Sequence, residues 1–115
     1  MGYRLHVATT YQVAHDTKLT PFNGKSQEIN LFLQERCPEM SWEDGRDSCE
    51  YANYLEISKA ELGNLIGWIS SHRKEYAEWA KENGIEESAG KFIEIVAYWI
   101  ANSDYRNDFV ALFWY

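Results

Sequence analysis

Residues 57–84 carry both a start and a stop signal for a helix, and no other stretch constrains the fold so tightly. Ser58 is placed as an N-cap, Glu61 follows as the second half of a capping box, and Ile57 can staple onto Leu62. Leu62, Leu65, Ile66, Ile69, Tyr76, Trp79 and Ala80 then recur at helical spacing. Lys81 stands near the negative pole of the helix, and Asn83-Gly84 closes it in a left-handed turn. A helix with one apolar stripe must bury that stripe against a second layer.

The flanking sequence supplies strands for that layer. Residues 3–13 alternate, with Tyr3, Leu5, Val7, Tyr11 and Val13 on one side and Arg4, His6, Thr10 and Gln12 on the other. Residues 109–115 are apolar throughout and too short for a helix, which predicts a strand in the sheet interior, paired with 3–13. Residues 49–57 read as a short strand with imperfect alternation. Ser26 is expected to cap a short helix that carries Ile29, Leu31, Phe32 and Leu33 and stops before Pro38. Residues 86–102 read as another helix, with Phe92, Ile93, Val96, Trp99 and Ile100 facing inward. Their β-branched content leaves a strand as the alternative. Residues 16–24, 37–48 and 102–108 hold the turn-formers and read as loops. The expected architecture is one globular α+β domain over 1–115, in the order β-α-β-α-α-β. Two or three helices would pack a small sheet of about three strands.

Charge and cysteine usage narrow the function. The formal charge of −7, with cations scattered among acids, disfavours direct binding of nucleic acid. No apolar run approaches the ~18 residues needed to cross a bilayer. The first residues do not resemble an export signal, and His6 stands where a myristoylation signal requires Ser or Thr. A cytoplasmic setting is therefore expected, with Cys37 and Cys49 as free thiols; a disulfide between them is the alternative.

No motif predicts chemistry. Cys37 and Cys49 lack a following His at a zinc-like interval, and the order of acids in a calcium loop is absent. There is no nucleophile elbow, phosphate-cradling loop or dinucleotide fingerprint. His72 sits at the margin of the apolar stripe and reads as a hydrogen-bonded boundary residue. His6 shares a strand face with Arg4, Thr10 and Gln12, and a solvated face explains it more simply than catalysis. No catalytic residue, metal or cofactor is expected, and the chain reads as a non-enzyme.

Two features point instead to binding. Between residues 39 and 56 stand six acids (Glu39, Glu43, Asp44, Asp47, Glu50 and Glu56) and one base, Arg46. Trp42, Tyr51 and Tyr54 are interleaved with them. Carboxylates beside exposed rings suit a guanidinium-rich partner, because arginine can pair with the acid and stack on the ring. Such a patch could also imitate phosphates in a nucleic-acid-binding groove. The simpler reading is a solvated acidic loop whose aromatics fold back into the core.

The second feature is a strip of small residues, Gly63, Gly67, Ser70 and Ser71, inside the 58–84 helix. A helical glycine costs ~1 kcal/mol relative to alanine, so close packing should compensate, most simply against the 86–102 helix. A homodimer through this strip, or through Phe113 and Tyr115 of the terminal strand, is the second reading. The chain is therefore expected to be a small acidic protein-binding module, an inhibitor or modulator that occupies a basic surface of a partner. A homodimeric structural or regulatory protein is the alternative, and an enzyme of unknown reaction ranks third.

Overall fold

The computed structural model describes residues 5–7, 22, 24–43 and 48–114. In chain order these form β1 (Leu5–Val7), α1 (Ser26–Arg36), β2 (Ser41–Trp42), β3 (Tyr54–Ser58), α2 (Lys59–Ser71), α3 (Arg73–Asn83), α4 (Ala89–Asn102) and β4 (Phe109–Trp114). The α+β class holds, with strands and helices interspersed as the sequence predicts. The sheet is antiparallel with strand order β1-β4-β3-β2, so three main strands gain a two-residue edge segment, β2.

β4 occupies the interior, and it pairs with β1 through Leu5–Trp114, His6–Phe113 and Val7–Leu112. On its other side Leu55 faces Leu112 and Ile57 faces Val110. An all-apolar strand suits this central place, yet its two faces differ. Val110, Leu112 and Trp114 are buried, whereas Ala111 and Phe113 are half-buried and Phe109 is 44% exposed.

The helices cover the first of these faces. Ile29, Phe32 and Leu33 of α1, Leu62, Leu65 and Ile69 of α2, Tyr76 of α3, and Phe92, Ile95, Val96 and Trp99 of α4 join Leu5, Leu55 and Leu112 in one core. Residues 86–102 thus contribute a helix and not a strand, because Ser88 caps its first turn through the Lys91 N–H and Phe92, Ile95, Val96 and Trp99 share a stripe.

Several local details differ from expectation. The helix expected over 58–84 breaks at His72. There the His72 backbone leaves the helical region (φ −127°, ψ 44°), its N–H reaching Trp68 O at 2.8 Å and Ile69 O at 3.3 Å, and α3 restarts with the Tyr76 N–H bonded to His72 O at 2.9 Å. At the other end Ser58 caps as predicted, accepting from the Glu61 N–H at 3.1 Å. Glu61 does not complete the box: its Oε2 accepts from the Glu39 N–H and ties the 37–40 turn to α2. Ser26 lies inside α1, whose N-cap position is Lys25 with no side-chain capping bond. Of the four apolar residues of this helix Leu31 alone is exposed, at 41%, while its neighbour Asn30 is buried.

Candidate protein-binding surface

The acidic segment is built around Asn30, the one buried polar residue among those described. Its Nδ2 donates to the carbonyls of Cys49 (2.9 Å) and Ala52 (3.0 Å), with Glu50 O at 3.4 Å. Its Oδ1 accepts from the Trp114 indole N–H at 2.7 Å. One side chain on α1 therefore holds both the 49–52 turn and the end of β4. The turn closes on itself through Ala52 N–H to Cys49 O at 2.9 Å. With its carbonyls pinned inward, Glu50 is half-buried and Tyr51 projects into solvent, 69% exposed.

The remaining predicted residues do not form one patch around this turn. Trp42 faces Leu55 across the β2–β3 pair and packs against the core. The Glu43 carboxylate accepts from the Asn53 N–H at 2.7 Å and so clasps the far end of the same loop. Tyr54 turns to the outer sheet face, 4.9 Å from the Phe113 ring, and its hydroxyl donates to Glu56 Oε2 at 2.8 Å. Burial, with Glu56 beside it, pushes the Tyr54 phenol up to about 12. Glu39 and Glu43 are exposed. Asp44 and Asp47 lie outside the described residues.

The dimer candidates lie on two elements. Gly63, Gly67 and Ser70 are exposed on α2, and a Cβ added at either glycine would meet nothing within 4 Å. The expected close packing of the glycines is therefore absent, and the buried stripe of α2 is Leu62, Leu65 and Ile69. Phe113 belongs to the outer face of the sheet, and Tyr115 lies outside the described residues.

A groove between α1 and α3 escaped the sequence reading. It measures about 290 Å³ and is lined by Gln27, Glu28, Leu31, Phe32, Glu35, Glu50, Trp79 and Asn83. Phe32 and Trp79 stack at 4.2 Å to form its aromatic wall. The signals were Leu31, which breaks the inward pattern of α1, and the i, i+7 spacing of Glu28 and Glu35.

The thiols and His72 offer little to chemistry. Cys37 and Cys49 are buried and unpaired, so the disulfide alternative is not realised. Burial pushes Cys37 up to about 12 and Cys49 up to about 11. Such thiols stay protonated near neutrality and are poor nucleophiles. The His72 ring stacks on Trp68 at 4.8 Å, and its Nδ1 lies 2.9 Å from the Trp68 carbonyl. That makes it a boundary residue, as its position in the stripe predicts. Among the described residues no three His, Cys, Asp or Glu side chains are grouped to hold a metal ion. No helix among them is long and apolar enough to cross a membrane. Compared with family models, curated proteins and solved structures, the chain matches none.

Proposed function

We propose that this chain is a small acidic, non-enzymatic protein-binding module that occupies a basic, nucleic-acid-binding type of surface on a partner protein. The observation that carries this reading is the clamped 49–52 turn, which presents an exposed Tyr51 and, one residue before it, the half-buried Glu50. Because Asn30 fixes the turn, little conformational freedom is lost when a partner docks. Glu39 and Glu43, exposed on the same segment, add negative potential that would steer a cationic partner. The unpaired buried thiols support a reducing, cytoplasmic setting.

The test is capture from a lysate on the immobilised chain, followed by displacement. Captured proteins should be basic, should elute as salt shortens the Debye length toward ~3 Å at 1 M, and should be displaced by duplex DNA. Replacing Glu43, Asp44 and Asp47 together by Ala should abolish capture. Capture that ignores both salt and DNA would sink the reading.

A homodimer is the second reading, favoured by the outer sheet face, where Phe109, Phe113 and Tyr54 remain exposed or half-buried. β4 is hydrogen-bonded to strands on both sides, so it could contribute only side chains to such an interface.

A further inference from the structure

We propose that the groove between α1 and α3 receives one arginine side chain of a partner protein, its guanidinium set against Trp79 and paired with Glu28 and Glu50. This rests on the reading of the chain as a protein-binding module and adds to it the identity of an anchoring residue.

The groove unites an apolar floor with one sign of charge. Leu31, Phe32 and Trp79 supply the floor, Glu28, Glu35 and Glu50 the rim, and among the described residues no lysine or arginine lines it. Among the described residues Glu28 and Glu50 have no ion-pair partner, while Glu35 is engaged by Arg36 at 3.3 Å. A volume of about 290 Å³ lies at the small end of ligand sites and suits a side chain better than a whole helix.

Three properties select arginine as the occupant. Its guanidinium is planar, weakly hydrated and able to lie on an indole while its edge pairs with carboxylates. A lysine ammonium is a compact, strongly hydrated charge and gains less from the aromatic wall. The protein also displays the same grouping once already. At the C-terminal end of α1 the Arg36 guanidinium sits 3.9 Å from the centroid of Trp68, with the Glu35 carboxylate in contact. The groove offers the matching indole and carboxylates, with no guanidinium among its described lining residues.

The experiment titrates the ¹⁵N-labelled full chain with three blocked pentapeptides: Gly-Leu-Arg-Leu-Gly, its lysine counterpart and its citrulline counterpart. The readout is the Trp79 indole N–H, identified with Trp79→Phe, and the Asn83 side-chain amide. At low salt the arginine peptide should shift both saturably. The lysine peptide should bind several-fold more weakly, and the neutral citrulline peptide not at all. Glu28→Gln with Glu50→Gln should weaken the arginine peptide about tenfold and leave the rest of the spectrum unchanged. Equal binding of lysine and arginine, or saturable shifts at Tyr51 but not at Trp79, would overturn the proposal, as would no saturable shift at all. If the paired Gln variant still captures basic partners while the Glu43, Asp44 and Asp47 variant does not, the arginine site falls and the binding module stands. If neither the wild-type chain nor any variant captures a basic partner, the wider reading falls, whatever the peptides do.

Discussion

Asn30 does more for this structure than any other polar side chain described. It joins α1 to a turn some twenty residues on and to an indole 84 residues away. The bonds to Cys49, Ala52 and Trp114 are shielded from water, so removing the amide strands the Ala52 carbonyl and the indole N–H and leaves Cys49 O only its bond from the Ala52 N–H. Each such group costs about 1–3 kcal/mol when orphaned. Asn30→Ala should therefore destabilise the fold by about 3 kcal/mol or more, measured as a lower midpoint in urea unfolding. Asn30→Asp should be no better, since it keeps the acceptor for Trp114 but turns a carboxylate oxygen toward carbonyls. Nothing in the sequence marks this role. An asparagine in Ile29-Asn30-Leu31-Phe32-Leu33 reads as a break in an apolar face, because its partners are distant in the chain. Spacing within one helix cannot report on them. Leu31, by contrast, counts among the apolar residues of α1 and lies exposed beside the groove.

Elements whose signals are local were legible. Ser58 caps α2, Gly84 ends α3 with φ 66°, and the alternation within residues 3–13 includes the paired strand β1. The break at His72 was not legible. It falls where the His72 backbone leaves the helical region and its ring stacks on Trp68, and neither glycine nor proline marks the place in the sequence. The glycines of α2 are instructive for the opposite reason. A cost of ~1 kcal/mol each predicts a compensating close contact, yet a Cβ at Gly63 or Gly67 meets open space. Gly63→Ala and Gly67→Ala should each stabilise the chain by up to about 1 kcal/mol, seen as a higher thermal midpoint. The same variants test the homodimer. If copies associate through this strip, light scattering after gel filtration should show a dimer for the wild-type chain that weakens in the alanine variants. A monomer at all concentrations excludes association through the strip and leaves only the stabilisation.

At the scale of the molecule, the sheet has one face under the helices and one turned away from the core. Protonated groups are held by burial within the core and, for Tyr54, by burial and Glu56 on the outer face, which makes stability pH-dependent at the alkaline end. Cys37 and Cys49 rise from 9.0 to about 12 and about 11, and Tyr54 rises from 10.0 to about 12. Each folded value lies above its unfolded one, so above about pH 9 the unfolded chain loses these protons first. Their stabilising contribution is complete below that pH and is lost as the pH climbs through 11–12. The thermal midpoint should hold level through neutrality and fall from about pH 9 upward, a fall that Cys49→Ser should reduce. A midpoint flat to pH 11 would contradict the burial of these groups. The candidate site was only partly legible at this scale. Its acidity and its rings could be counted, but the sheet sends Trp42 to one face and Tyr54 to the other. Successive β-residues point to opposite sides, and only the pairing register decides which.

The position of β4 carries a consequence for synthesis. It is the last of the described elements in chain order, yet it is the strand that joins β1 to β3. Until the ribosome has made and released residues 109–114, those two strands have no partner between them. The helices can form as they emerge, because their bonds are local, but they have no finished surface to settle on. A nascent chain halted anywhere before Phe109 would expose unpaired strand edges and the apolar stripes of α2 and α4 together. Exposed edges and stripes of that kind are what make incomplete chains prone to aggregate.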